Sequence, residues 1–367
     1  MRLRKKKFRQ YAINLSILLF VSFICLLILE ITIRIISPTI FHPDLMLAPH
    51  INMRIRLNVT GISPIAHHTT NKWGFRGDPI PDNINDYYTI LTIGGSTTQC
   101  FIIDDKKTWS YVLQDKLRAK YNDMIIVQNA GKDGHTTRAH LIMMQHIVPK
   151  VQPNIIIFLV GINDLGLSLQ SERYYEGSPR EKSSLSYRIF SNSRLLQVLW
   201  SWVKVLKGEV TLSPEVGDLV LKNLTREESN FSKNFSKDLI SLPEFRENLK
   251  KIIGLGKQHN ISMVFLTQPL LFDDTQEWGN IEGRTAWIVN EKYYLSGRTY
   301  AKMLNIYNDN LLEICQETNV ECFDLASRVP HSQEYFIDQV HFNDKGNELV
   351  AEELYKYLTL NNIISLD

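Results

Sequence analysis

Residues 88–96 read YTILTIGGS. Six β-branched, aromatic or apolar side chains stand in a row and stop at two glycines, the pattern of a short buried strand that turns sharply at its carboxyl end. Glycine lets the chain fold back tightly there, so Ser96 emerges at the sheet edge with its hydroxyl and its own N–H facing the same space. An ordinary strand and turn read the same way. Ser96 therefore gains chemical meaning only from what the other strand ends carry.

Further strands are expected at residues 124–128, 155–160 (IIIFLV), 263–267 (MVFLT) and 320–323. Helical spacing separates them. Trp109, Val112, Leu113 and Leu117 mark a stripe over 108–121, and Leu249, Ile252, Ile253 and Leu255 another over 243–259. Residues 135–148, 300–318 and 344–358 read as helices too. Strands alternating with helices of this length predict a parallel sheet covered on both faces, with any site beyond the carboxyl ends of its strands. Residues 37–86, rich in Pro and Asn and poor in periodicity, read as a stalk and a loop leading into a domain at 87–367. Between 165 and 242 the pattern degrades into charge clusters. That stretch reads as an insertion, either a lid over the site or solvated padding.

Three other chain segments carry chemistry at such ends. Asn129-Ala130-Gly131 closes the second strand with a glycine that permits close backbone approach and can offer its N–H. Gly161-Ile162-Asn163-Asp164 closes the third. There the Asn163 amide can face a developing negative charge, and Asp164 suits capping or fixing of the loop. Late in the chain come Asp338-Gln339-Val340-His341. A tight turn can place both side chains on one side, so that Asp338 holds one ring nitrogen of His341 and leaves the other to take a serine proton.

These four pieces, in this order, resemble the SGNH hydrolase (GDSL-type esterase and lipase) superfamily over about residues 84–360. The resemblance implies Ser96, Asp338 and His341 as catalytic residues, with Ser96, Gly131 and Asn163 forming the oxyanion hole. It implies a flavodoxin-like three-layer α/β/α sandwich with a five-stranded parallel sheet. The chain departs from the pattern at Gly95, where the family usually has an aspartate before the nucleophile. Membrane-anchored bacterial relatives with GGS are also similar at Asn71-Lys72-Trp73-Gly74-Phe75-Arg76-Gly77. The implied activity is ester hydrolysis, foremost O-deacetylation of a cell-surface glycan, with a lipid ester as another substrate. An O-acyltransferase of envelope polysaccharide, or a non-catalytic glycan-binding module, are the alternatives. No cofactor and no metal is implied.

The N-terminus supports that setting. Arg2, Arg4, Lys5, Lys6, Lys7 and Arg9 precede an uncharged run from Ala12 to Leu29, and apolar residues continue to Ile36. At about 1.5 Å per residue such a helix crosses a hydrocarbon core of roughly 30 Å. Residues 1–10 then read as a cytoplasmic tail, 11–36 as a transmembrane anchor, and the remainder as extracytoplasmic, at the cell surface or in a periplasm. A cleaved signal peptide is the rival, although no small-x-small cleavage site is visible at 37–43. Glu30 and Arg34, four apart, are expected to pair.

Composition narrows the classes. The 367 residues carry 41 basic and 39 acidic side chains. Residues 1–36 hold seven of the basic and one of the acidic, so the rest is net acidic and does not favour nucleic acid. His135 and His140 are five apart, poor spacing for one metal-binding helical face, and neither HExxH nor GxxxxGK[ST] nor GxGxxG occurs. Arg76 reads as a loop-fixing residue or as a contact for an anionic substrate group. Cys100 reads as buried. Cys315 and Cys322 flank a helix–strand turn and leave a disulfide open.

Overall fold

The computed structural model describes residues 2–36, 45–121, 123–169, 193, 195–196, 198–199, 215–219, 239–275, 288–289, 293–294 and 297–364. The chain divides into two compact units, Met1–Pro43 with Lys182–Val210, and Asp44–Glu181 with Thr211–Asp367.

The first unit is built on helix α1 (Arg2–Ile36). Its stretch Arg9–Ile33 is long and apolar enough to cross a membrane, with a mean hydropathy of 2.8 and no buried part. The Glu30 carboxylate accepts the Ser193 hydroxyl at 2.9 Å and the Leu195 N–H at 2.8 Å. The side chain of Arg34, its expected partner, lies outside the described residues.

In the second unit, β1 (Asn52–Leu57) and β2 (Ile65–Thr69) form an antiparallel pair, followed by β3 (Tyr88–Gly94), the single turn α2 (Ser96–Gln99), α3 (Trp109–Lys120), β4 (Ile125–Asn129) and α4 (Thr137–His146). Next come α5 (Val148–Val151), β5 (Ile155–Leu159), α6 (Ile162–Leu169), β6 (Glu215–Leu219), α7 (Leu242–Gln258) and β7 (Ser262–Leu266). The short antiparallel strands β8 (Ile288–Val289) and β9 (Tyr293–Tyr294), then α8 (Gly297–Thr318), β10 (Glu321–Phe323) and α9 (Asp344–Leu360), complete it.

Strands β10-β7-β5-β3-β4 hydrogen-bond in that order, every pair parallel. Numbered along the chain this is the order 2-1-3-4-5 of flavodoxin-like sheets, with the strand order reversing between β3 and β5. All five residues of β5 are buried, as a strand covered on both faces requires. Phe158 of β5 stacks on Phe265 of β7 with ring centroids 4.8 Å apart. Helix α3 packs against α9, while α4 and α8 flank α7. Thr108 starts α3 by accepting the Tyr111 N–H, and Trp109, Leu113 and Leu117 form its buried stripe.

Two expectations change. Residues 52–57 and 65–69, read as part of a patternless stalk, are strands, and β6 joins β1 in parallel. Their alternation is short: Ile55 and Leu57 are buried between exposed arginines 54 and 56, and β2 buries only Ala66 and His68. Four residues of alternation are too few to stand out against their polar neighbours. The insertion drawn at 165–242 is displaced at its start, because residues 165–169 continue α6 as a mostly buried helix. Most of its remainder lies outside the described residues.

Candidate active site

Ser96 opens α2 directly beyond β3, at the point where the strand order reverses. Gly95 caps this turn, and its carbonyl accepts the N–H groups of Thr98 and Gln99 at 3.1 and 2.9 Å. Thr97, Thr98 and Gln99 are buried while Ser96 is half-buried, so the turn presents one side chain outward. A side chain at position 95 would require the Asn163 amide to shift.

Arg76 braces the far end of this turn. Its guanidinium is buried and donates to the carbonyls of Gln99 at 2.6 Å and Ile103 at 2.8 Å, to the Cys100 carbonyl, and to Asp105 at 2.6 Å. Orphan carbonyls at a helix end need such donors. Cys100, at φ 53°, takes the left-handed conformation that ends the turn. It is buried, and burial pushes its thiol up to about 12. The segment ahead of Arg76 is folded by Asn71, whose side-chain oxygen accepts the Trp73 and Phe75 N–H groups. Arg76 itself pairs through its backbone with Asn129 at the end of β4. The loop-fixing reading of Arg76 is the one its contacts match.

His341 Nε2 lies 2.7 Å from Ser96 Oγ, and His341 Nδ1 lies 2.7 Å from Asp338 Oδ2. The turn is set by its own backbone. Asp338 Oδ1 accepts the Val340 and His341 N–H groups, both at 2.9 Å, and the Ile337 N–H donates to the His341 carbonyl at 2.8 Å. Asn343 then caps α9 by accepting the Gly346 N–H. Burial opposes ionisation of both groups, but the mutual charge and hydrogen bond outweigh it. Asp338 is held below, and His341 above, the ordinary value. Asp133 adds a smaller upward push on His341.

The expected oxyanion donors converge unequally. Among the described residues the Ser96 N–H meets no acceptor. Asn163 donates one amide hydrogen to the His135 carbonyl at 2.8 Å, which fixes the group and leaves its second hydrogen. The Gly131 N–H donates to Asn129 Oδ1 at 2.9 Å. A side chain at Gly131 would strike the backbone of α2, so glycine permits the two strand ends to meet. Asp164 caps α4 from the neighbouring strand end, accepting the Thr137 hydroxyl at 2.5 Å and its N–H at 3.1 Å. Burial pushes that carboxyl up to about 7. His140, buried beneath Gly94, is pushed down to about 4 by the same effect. No group of three or more His, Cys, Asp or Glu among the described residues is arranged to hold a metal. Cys315 and Cys322 are joined by a disulfide.

A cavity of about 460 Å³ opens at Ser96 and His341. Phe101, Ile102, Ile337 and Phe342 form an apolar wall, and Asp133 stands on its rim. Sequence reasoning missed Asp133. It sits two residues past Gly131 in a Lys-Asp-Gly turn, and nothing in that turn distinguishes it from a solvated loop.

Residues 92–349 match the family model described as the GDSL-like Lipase/Acylhydrolase family. A GDSL esterase/lipase of Arabidopsis thaliana is 29% identical over 128 residues, 32% of this chain. The chain thus spans about a third of that curated relative, 36% of its length. Among solved structures it is similar to the acetyl xylan esterase AlAXEase, at 16% identity over 74% of this chain and 99% of the other, with a TM-score of 0.41. A catalytic mutant of Axe2, an acetylxylan esterase from Geobacillus stearothermophilus, gives 14% identity, 73% and 93% coverage and a TM-score of 0.43. The psychrotrophic esterase EstA from a Pseudoalteromonas species gives 15%, 76% and 100%, and 0.40. Because the family match takes in well over half of the 367 residues, the chain belongs to the GDSL-like lipase/acylhydrolase family.

Proposed function

We propose that this chain is a serine ester hydrolase that removes O-acetyl groups from a cell-surface glycan, with α1 as an uncleaved membrane anchor and the second unit on the extracytoplasmic side. The observation that carries the catalytic reading is the continuous chain from Asp338 through His341 to Ser96, two contacts of 2.7 Å. Ser96 Oγ attacks the ester carbonyl while its proton passes to His341 Nε2. Asp338 stabilises the imidazolium and fixes which nitrogen is free to accept. The tetrahedral oxyanion is held by the Ser96 N–H and the second Asn163 hydrogen. The Gly131 N–H joins them, because a developing anion is a stronger acceptor than the neutral Asn129 amide. His341 returns the proton to the leaving alkoxide. It then deprotonates a water that attacks the acyl carbonyl, releasing the acid and restoring Ser96.

The anchor is supported by the five basic residues ahead of the apolar span Arg9–Ile33 and by Arg9 at its start. The test uses the full chain in non-ionic detergent, with p-nitrophenyl acetate, longer-chain esters and an acetylated oligosaccharide, beside Ser96→Ala. Acetate release that disappears in the variant, with fluorophosphonate labelling confined to the wild type, is expected. Absence of both turnover and labelling would sink the reading.

A further inference from the structure

The charge around the nucleophile is one-sided. Of the residues lining the cavity, Asp133 and Asp338 are acidic, His341 is the single titratable base, and none is lysine or arginine. Three cations near the segments that supply the lining have other partners. Arg76 is buried on Asp105 and the α2 carbonyls, Lys132 donates to the Met46 carbonyl at 3.3 Å, and Lys107 pairs with Asp344 at 2.6 Å. Asp133 is held in place through its backbone, its N–H donating to Gln99 Oε1 at 2.6 Å, which ties its turn to α2. Asp133 is exposed and forms no salt bridge with lysine or arginine among the described residues. It lines the same cavity as Phe101, Ile102 and Ile337, and its charge reaches His341.

Resting on the ester-hydrolase reading, we infer that the site selects esters by charge, with Asp133 as the specificity-determining residue: cationic, ammonium-bearing esters are favoured over uncharged ones, and anionic ones are disfavoured. For a glycan this means O-acyl groups on amino or neutral sugars rather than on uronate- or phosphate-rich chains. A unit charge about 6 Å from the carboxylate, at an effective dielectric near 40, changes kcat/KM by about tenfold in either direction. Cation and anion should then differ by on the order of a hundredfold at low salt, and by much less in about 0.5 M salt.

The test compares three acetyl thioesters on the full chain in non-ionic detergent: acetylthiocholine, its uncharged isostere 3,3-dimethylbutyl thioacetate, and S-acetyl-2-mercaptoethanesulfonate. The expected order of kcat/KM is cation, neutral, anion. In Asp133→Asn the cation-to-anion ratio collapses to within about threefold, and Asp133→Glu restores most of it. A second readout needs no turnover. Choline should shift the His341 imidazole resonance in the wild type and not in Asp133→Asn, while 2-hydroxyethanesulfonate leaves it unmoved in both. Turnover without charge preference, or a preference that survives in Asp133→Asn, overturns this inference and leaves the hydrolase reading standing. A choline response that depends on Asp133, with no thioester cleaved, keeps the charge selection and removes the hydrolase. Neither response overturns both.

Discussion

Replacing Asp338 with asparagine tests whether the geometry of the site is used as drawn. The aspartate has two tasks on two oxygens: Oδ1 accepts the Val340 and His341 N–H groups, and Oδ2 accepts from His341 Nδ1 at 2.7 Å. Asparagine has one oxygen and one NH₂, so it must fail at one of them. If the oxygen keeps the two backbone donors, the NH₂ faces Nδ1 and can only donate to it. The ring then carries its proton on Nε2, the atom 2.7 Å from Ser96 Oγ, and cannot accept the serine proton. If the oxygen faces the ring instead, two backbone N–H groups confront an NH₂ and the turn loses its closure. The first loss is local and the second unfolds the turn, so the wrong tautomer is the expected outcome, with kcat for p-nitrophenyl acetate falling by up to about 10⁴ while KM changes little. The pH profile adds a second sign. Asp338 holds His341 above its ordinary value, so wild-type kcat/KM should rise with pH through a limb above that value, as His341 loses its proton. In Asp338→Asn the charge is gone and any residual limb moves to lower pH. Steady-state kinetics from about pH 5 to 9 read both, with thermal melting to show that the fold is retained. Turnover within about tenfold of wild type, or a limb that stays in place, would refute the reasoning.

Asn163→Ala removes one donor and leaves the Ser96 N–H as the unshared one, so kcat should fall about 10²–10³-fold with little change in melting temperature. An unchanged kcat would take Asn163 out of the oxyanion hole. Arg76→Met strands the Asp105 carboxylate and the Gln99 and Ile103 carbonyls in a buried setting, a loss of roughly 3–5 kcal/mol, seen as a melting point lower by on the order of 10 °C. Arg76→Lys should recover little of it, since an ammonium cannot reach carbonyls on both sides as the planar fork does. Asp164 is pushed up to about 7 by burial, so between its unfolded value and about 7 the native state binds the extra proton, and stability falls as pH rises through that window. Asp164→Asn keeps an acceptor for Thr137 and should flatten the decline in melting temperature between about pH 5 and 8; an equally steep decline would contradict the assignment.

How much of this was legible follows from where each contact originates. The five core strands are signalled locally, three of them by apolar runs that end in glycine or asparagine, and the structure places all five within about two residues of their expected bounds. The convergence of the candidate site residues was legible for the same reason. Ser96, Gly131 and Asn163 each follow a strand, and a parallel sheet delivers its carboxyl ends to one edge whatever lies between. Asp338 and His341 share one turn, so their mutual geometry is local too; only their approach to Ser96 across 245 positions is tertiary. What escaped, the partners through which Arg76 fixes its loop and the place of Asp133, has no local signal. The work of Arg76 on α2 depends on β1 and β2 folding beside residues 99–105, through Asp104 to His67 at 2.9 Å and Asp105 to Thr69 at 2.7 Å, and no periodicity announces such polar docking. Asp133 is the clearer case. In sequence it is one acid among many beyond residue 36, where acids outnumber bases; in the fold it lines the cavity of the nucleophile, where the proposed charge selection would act. The reaction, set by residues that strand ends bring together, is thus readable from order along the chain. The choice of substrate depends on which loop side chains share a cavity with the nucleophile, and that appears only once the chain is folded.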